Sequence, residues 1–272
     1  MFRDELVEVA GLQLRVASEL DRPGTPLLIF NGIGASAGIL HKLVETLSLP
    51  VITFDLPGVG GSRPSLVPRR MWQFARLGRR LLSVLGIDHC HVMGISWGGA
   101  LAQQFAWQYP QVTGRLILVA TSPGCVMIPP RPSVLLNMAT PLRYLSAGHF
   151  RRIAGNIYGG DFRSDEMLRE RHARRMTPPS VLGYLSQLFA LSGWTSLPWL
   201  HRIRTPTLIL AGRDDPIIPL ANARVLQRLL PDARLVLFDC GHLFVLTRLA
   251  QVCGEIDGFL QPAPNFAAAV TN

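Results

Sequence analysis

The stretch HVMGISWGGALAQQFAWQYP, His91 to Pro110, decides how the rest of the chain is read. It begins as a short apolar run, turns through glycine-flanked positions and continues with helical spacing. Gly94-Ile95-Ser96-Trp97-Gly98 is a G-x-S-x-G string. Alone the string is weak; here it lies between a strand ending near Ile95 and a helix starting near Trp97, the setting a nucleophile elbow needs. Such a turn forces its central residue into strained backbone geometry, and glycines two before and two after let the flanking backbones pass closely. The Ser96 side chain is pushed out of the bend. At a helix N-terminus it also sits beside exposed N–H groups and a positive dipole end, both favourable to developing negative charge. The competing reading is a serine helix cap with glycines serving only packing.

Outward from this stretch, short continuous apolar runs recur: PLLIF (26–30), PVITF (50–54), CHVMGI (90–95), RLILVA (115–120), PTLILA (206–211) and RLVLF (234–238). They are the kind expected of strands covered on both faces. Helical patterns fall between them at 71–85, 98–108 and 220–230, so an α/β fold is predicted with a mostly parallel central sheet flanked by helices. The opening LVEVAGLQLRV alternates about Ala10-Gly11 and reads as an antiparallel hairpin. Between about Thr121 and Arg204 the alternation fails, and prolines break helix-like segments. The predicted organisation is a core over 1–122 and 205–262, a helical cap insertion over 123–204, and a disordered tail over 263–272. Within the insertion, Val181, Tyr184, Leu185, Leu188 and Phe189 fall on one stripe, expected to face the insertion's own core.

Composition bounds the function classes. A chain of 272 residues suits one domain with a sizeable insertion. Every apolar run is interrupted before the roughly 18 positions that span a membrane, so no transmembrane segment is expected. The start Met1-Phe2-Arg3-Asp4-Glu5 lacks a secretory pattern, which predicts a cytoplasmic protein. The formal net charge of +9 invites a nucleic-acid reading, but Lys42 is the sole lysine and the arginines are scattered without aromatic interleaving. Solvated helix faces or an acidic partner surface account for them better. Cys90, Cys125, Cys240 and Cys253 show no metal-ligand spacing and read as free, mostly buried thiols.

A serine hydroxyl needs a base to take its proton and an acid to orient that base. LVLFDCGHLFVL places His242 just after the last apolar strand; LILAGRDDPIIP places Asp214 and Asp215 just after the preceding one. Successive strand ends at one edge of a parallel sheet bring such loops together, in the chain order serine, acid, histidine. Asp215 is preferred, with Asp214 as the alternative. Asp55 also ends a strand, but it precedes the serine and its FDLPGVGGS setting reads as a structural turn. Oxyanion donors, each worth about 2.7–4 kcal/mol of barrier, are expected from the Trp97 N–H and from the loop FNGIGAS, with the Ile33 N–H the first choice.

These residues resemble the α/β-hydrolase superfamily and, within it, the intracellular depolymerases of medium-chain-length polyhydroxyalkanoate storage polyesters. The likeness runs through LLIFNGIGA, FDLPGVGGS, GISWGGALAQQFA, RPSVLLNMATPLRYL, IYGG, LFALSGWTS, PTLILAGRDDPIIPL and GHLF. It implies a serine esterase with Ser96, Asp215 and His242 as its triad, acting on poly(3-hydroxyalkanoate) at the granule surface, with no metal or organic cofactor. Related dehalogenases and epoxide hydrolases carry aspartate at the elbow and polymer synthases carry cysteine, so Ser96 favours ester hydrolysis. An insoluble polyester also demands an apolar surface and a way to admit chain. Val134, Leu135, Leu136, Met138, Phe189, Leu191, Trp194 and Trp199 are candidates for a tunnel lining or a granule-facing patch, with packing of the cap as the alternative for each. Competing functions are a carboxylesterase or lipase for soluble esters and a non-catalytic granule-coat protein.

Overall fold

An antiparallel hairpin opens the sheet: β1 (Arg3–Val9) pairs with β2 (Leu12–Glu19) from Arg3↔Ser18 to Val9↔Leu12. The two residues between them, Ala10 and Gly11, have φ of 54° and 75°, the left-handed backbone that a two-residue hairpin turn requires. The computed structural model describes residues 3–261, so the expected disordered tail at 263–272 lies outside the described residues.

The six continuous apolar runs become β3 (Leu27–Phe30), β4 (Val51–Phe54), β5 (Cys90–Ile95), β6 (Thr113–Val119), β7 (Thr207–Gly212) and β8 (Ala233–Phe238). With the hairpin they form one eight-stranded sheet in the order β1-β2-β4-β3-β5-β6-β7-β8. β2 meets β4 antiparallel, and the five remaining pairings are parallel. β3, β4, β5 and β7 are buried at every position, because helices cover both faces. One face packs on α2 (Met71–Val84), α3 (Trp97–Gln108) and α9 (Ala221–Leu229), around Phe30, Phe74, Leu101 and Leu226. The other packs on α1 (His41–Thr46) and α11 (Leu249–Leu260), around Leu43, Val44, Val252 and Ile256. The four-residue α10 (Phe244–Thr247) precedes α11.

The chain runs from β3 outward to β4 and then returns across β3 to β5. That reversal opens a crevice beyond the carboxyl ends of β3 and β5, where ligands bind in open α/β sheets. The loops after these strands hold Ile33 and Ser96.

Between β6 and β7 the chain forms five helices: α4 (Pro132–Met138), α5 (Leu142–Leu145), α6 (Ala147–Tyr158), α7 (Glu166–Arg175) and α8 (Val181–Leu191). Departing and returning segments are pinned together by a Gly124↔Thr195 bridge, with Cys125 N–H on the Trp194 carbonyl and Ser196 N–H on the Pro123 carbonyl. The neck therefore closes at Thr195 rather than at 204. Beyond it, Leu200 and Ile203 already belong to the main core. The insertion has its own core of Val134, Phe150, Ala154, Ile157, Tyr158 and Phe162, joined by Ile217 from the main body.

The orientation of α8 differs from the stripe read in sequence. Val181, Leu185 and Phe189 are exposed, while Gly183, Tyr184, Gln187 and Ala190 are buried. Polar anchoring decides the rotation: the Tyr184 hydroxyl donates to the Met138 carbonyl, and the Gln187 side chain and backbone accept hydrogen bonds from Gly34 N–H and the Trp97 indole of the main body. A helix rotated to bury its aliphatic stripe would leave those groups without partners.

Candidate active site

Ser96 stands between β5 and α3 with φ 55° and ψ −116°, a conformation that non-glycine residues enter at a cost of about 1–3 kcal/mol and hold only when their surroundings enforce it. The surroundings here are glycine. A Cβ on Gly94 would collide with the Gly98 carbonyl, and one on Gly98 with the Phe30 carbonyl. The Ser96 N–H donates to the Val119 carbonyl, and the Ser96 carbonyl accepts from Gly99 N–H and the Thr121 hydroxyl. The backbone is held on both sides, and the side chain faces the cavities described below.

His242 lies on the short loop between β8 and α10, and Asp215 on the loop after β7. Their side chains meet, Nδ1 to Oδ2, at 2.7 Å and are almost wholly buried. The other Asp215 oxygen accepts the N–H groups of Ile217 and Ile218, each at 2.9 Å. His242 N–H donates to the Tyr158 carbonyl at 2.7 Å, and the Tyr158 ring lies nearly parallel to the imidazole. Asp214 points elsewhere: its carboxylate pairs with Arg163 and accepts Gly160 N–H. The hydrogen-bonded Arg163 holds the Asp214 carboxyl below the usual range. Asp55 is fully buried as a loop brace, accepting the N–H groups of Ala37 and Gly61. Burial pushes its carboxyl up despite those two bonds.

The loop Asn31-Gly32-Ile33-Gly34 approaches Ser96 from the end of β3. Asn31 folds it, accepting Gly32 N–H at Oδ1 and donating through Nδ2 to the Ser36 carbonyl. Gly34 N–H donates to Gln187 Oε1 at 2.7 Å, and the Ile33 carbonyl accepts the Tyr144 hydroxyl at 2.7 Å. The Ile33 N–H lies between these two engaged glycine amides. Trp97 is the first residue of α3, where an N–H has no carbonyl one turn earlier to bond. Its indole N–H donates to the Gln187 carbonyl at 2.9 Å. One insertion residue, Gln187, thus touches both segments that carry the expected oxyanion donors.

Two cavities meet at Ser96. One, of about 60 Å³, is lined by Asn31, Ser96, His242, Arg143, Tyr144, Tyr158 and His172 among apolar side chains such as Ile33, Leu40 and Val245. The second, of about 370 Å³, is lined by Ser96, Trp97, Ala100, Met127, Leu135, Met138, Leu188, Leu191 and Ile217, with no charged residue. Of the residues expected at the substrate, Leu135, Met138 and Leu191 line the apolar cavity. Val134 does not: α4 turns it onto Phe150 and Ile157, where it is fully buried. Trp194 donates its indole N–H to Gln104, and Trp199 stacks on Trp107 at 4.9 Å. Both tryptophans pack where the neck meets the main body, because the chain has re-joined the core there. Leu136 is exposed, and Phe189 is partly exposed beneath the Arg70 guanidinium. Sequence reasoning does not single out Arg143, Tyr144, Tyr158 or Gln187. For Arg143 a signal exists in TPLRYL, a lone charge inside an apolar helical run of a proline-broken insertion.

The α/β hydrolase fold family model matches residues 25–249. The chain is 48% identical over 258 residues to a poly(3-hydroxyalkanoate) depolymerase of Ectopseudomonas oleovorans, covering 94% of this chain and 91% of that protein. It is 32% identical over 233 residues to a 2-hydroxy-6-oxo-6-phenylhexa-2,4-dienoate hydrolase of Burkholderia cepacia, covering 80% and 82%. Among solved structures, the enol-lactonase of Burkholderia xenovorans LB400 superposes with a TM-score of 0.82 at 19% identity, over 94% of this chain and 99% of that one, a likeness of fold.

Proposed function

Because this chain belongs to the α/β-hydrolase fold family, we propose that it is a serine esterase that cleaves poly(3-hydroxyalkanoate) through an acyl-enzyme, with Ser96 as nucleophile, His242 as base and Asp215 as its orienting acid. The observation that carries the catalytic assignment is the buried Asp215–His242 pair, whose imidazole lines a cavity that Ser96 also lines. The polyester substrate is carried over from the 48%-identical depolymerase.

His242 Nε2 takes the Ser96 proton as Oγ attacks the ester carbonyl carbon. The carbonyl π electrons move onto oxygen, and the Ile33 and Trp97 N–H groups hold that oxyanion. Asp215 stays ionised, fixing the tautomer with the proton on Nδ1 and stabilising the imidazolium. When the tetrahedral intermediate collapses, the carbon–oxygen bond breaks and His242 protonates the departing 3-hydroxyl. Water, deprotonated by His242, then attacks the acyl-serine. A second collapse frees the carboxylic acid and returns the proton to Ser96.

Granule association is part of the same reading. Among the described residues the insertion leaves Leu135, Leu136, Leu142, Leu145, Leu182, Leu185 and Phe189 exposed, a concentration of apolar side chains that suits an insoluble polyester surface. No helix of the described residues is long and apolar enough to cross a membrane, and the cytoplasmic expectation belongs to this proposal.

The deciding experiment supplies amorphous poly(3-hydroxyoctanoate) and p-nitrophenyl octanoate to the purified protein. Release of 3-hydroxyacids from the polymer, abolished in Ser96→Ala, is expected. Hydrolysis of the soluble ester alone would make the protein a general carboxylesterase. Substantial activity in a folded Ser96→Ala variant would remove the nucleophile assignment.

A further inference from the structure

The cavity shared by Ser96 and His242 holds a cation that the mechanism above leaves unused. Arg143, from α5, is 2% exposed. Its Nη1 donates to the Tyr184 hydroxyl at 2.6 Å, its Nη2 approaches the Ile33 carbonyl at 3.5 Å, and its guanidinium carbon lies 4.6 Å from the Tyr144 ring centre. These partners are all neutral. Among the described residues no carboxylate lies within ion-pair distance of it, and its Nε has no hydrogen-bond partner. A guanidinium keeps its charge at any working pH, and a buried charge without a counterion is costly to the fold.

The setting suggests what completes it. The cavity containing Arg143 is also lined by Arg175, His172 and His242, and by no aspartate or glutamate. The cavity on the other side of Ser96 carries no charge. Ser96 therefore stands between a chamber without charge and one whose only permanently charged side chains are Arg143 and Arg175. In ester cleavage the leaving oxygen must reach His242, so the leaving group occupies the His242 side. In a poly(3-hydroxyalkanoate) that leaving group is the 3-hydroxyl of the next unit. When that unit is the last of its chain, a free carboxylate stands two carbon–carbon bonds from the carbon that bears the departing oxygen. Arg143 approaches the carbonyl of Ile33, the residue whose N–H is assigned to the oxyanion, so cation and oxyanion donor belong to one wall.

We infer that Arg143 is the anion-binding residue of a leaving-group subsite, which takes the free carboxylate of a terminal hydroxyacid and directs cleavage to the ester bond beside the carboxyl end of the chain. The acyl side chain then lies in the apolar chamber, and each turnover frees one hydroxyacid. The chain-end preference rests on the polyester reading; the carboxylate subsite does not.

The test compares 3-hydroxyoctanoate with its neutral amide, 3-hydroxyoctanamide, as inhibitors of p-nitrophenyl octanoate hydrolysis, an assay that involves no polymer. In the natural protein the carboxylate should inhibit at least about tenfold more tightly than the amide, the scale of one charge-assisted hydrogen-bond pair. Arg143→Met should bring the ratio of the two inhibition constants to about one, and Arg143→Lys should retain part of it. Because the ratio is taken within each variant, a general loss of activity cancels. Should Arg143→Met not fold, Arg143→Lys decides: it keeps the charge but loses the planar fork, so a ratio clearly below the natural protein's supports Arg143 and an unchanged ratio overturns it. Equal inhibition by acid and amide, or a preference that survives Arg143→Met, overturns the subsite. Dimeric 3-hydroxyoctanoate and its methyl ester as substrates then address the chain end: a higher kcat/KM for the free acid is expected, and equal values refute end-directed cleavage. Anion preference without polymer hydrolysis sinks the polyester reading and leaves the subsite standing. Polymer hydrolysis without anion preference does the reverse.

Discussion

Asp214 and Asp215 are adjacent in sequence and opposite in environment, so matched Asp→Asn substitutions separate a catalytic role from a structural one. Asparagine at 215 keeps the volume, and its carbonyl oxygen can still accept the N–H groups of Ile217 and Ile218. Its amide nitrogen, however, would face His242 Nδ1, where the carboxylate stands 2.7 Å away. That exchange favours the tautomer carrying its proton on Nε2, which has no lone pair to take the Ser96 proton. The loss of kcat in such an exchange is about 10⁴-fold, or roughly 5 kcal/mol of barrier at 1.36 kcal/mol per decade. Asp214 instead makes a half-exposed pair with Arg163 and accepts Gly160 N–H; breaking a pair of that exposure costs about 1 kcal/mol of stability or less. The assay is p-nitrophenyl octanoate hydrolysis across pH 6–10, with thermal melting as the folding control. Asp215→Asn should melt close to the natural protein and lose about four decades of kcat; Asp214→Asn should stay within about threefold. A loss of less than tenfold in Asp215→Asn, or equal losses in the two variants, would refute the orienting role.

Further outcomes follow from the packing around the site. Gln187→Ala leaves the buried Gly34 N–H without its acceptor, at about 1–3 kcal/mol; kcat should fall at least several-fold with KM little changed, and a lowered Tm with unchanged kcat would reduce Gln187 to a structural tie. Burial pushes both His172 and His91 down to about 4, so their neutral forms stabilise the fold fully above the ordinary histidine value of 6.5. That contribution should be lost as pH falls from 6.5 towards 4, by about 3 kcal/mol per histidine at most, and a flat Tm across that window would contradict it; His172→Phe should flatten the slope. Trp199→Ala removes the Trp107 stack and should cost about 3 kcal/mol while leaving sedimentation with polymer granules unchanged, whereas Leu182→Asp with Leu185→Asp should weaken sedimentation without lowering p-nitrophenyl ester turnover.

Much of this molecule is readable from local sequence where one physical cause dominates. The sheet's continuous runs can be recognised because strands covered on both faces need no polar alternation, and the serine turn can be recognised because backbone collision admits glycine at 94 and 98. The buried acid is harder. Asp214 and Asp215 follow the same strand, and only the tertiary positions of Arg163 and His242 separate them. The rotation of α8 escapes a reading that weighs its aliphatic stripe alone, because Tyr184 and Gln187 find partners from Met138, Gly34 and Trp97, far away in sequence. Val134 is misplaced at the substrate for a related reason: both faces of α4 are apolar, and only the position of Phe150 and Ile157 shows which face the insertion's own core claims. Arg143 carries the weakest signal, since arginine in an apolar helix more often reaches its charge out to water.

The ties between insertion and main body constrain how a polymer can arrive. Gln187 accepts Gly34 N–H and the Trp97 indole N–H, and Tyr144 donates to the Ile33 carbonyl. Lifting α5 and α8 off the oxyanion loops breaks all three bonds, at about 0.5–1.5 kcal/mol net for each, or about 1.5–4.5 kcal/mol in total. On those bonds alone the lifted state is held below about a tenth of the population, and exposing the apolar surface between the helices and the main body lowers it further. Lifting would also release the backbone that positions the assigned oxyanion donors, so the lifted state is the wrong one for catalysis. A chain must therefore reach Ser96 with the insertion seated, through the mouths of the two cavities. Threading of that kind favours an end over a loop of polymer, since a loop would have to pass two strands where an end passes one. The cation at Arg143 then determines which end: the carboxyl terminus gains a counterion there, and the hydroxyl terminus gains none.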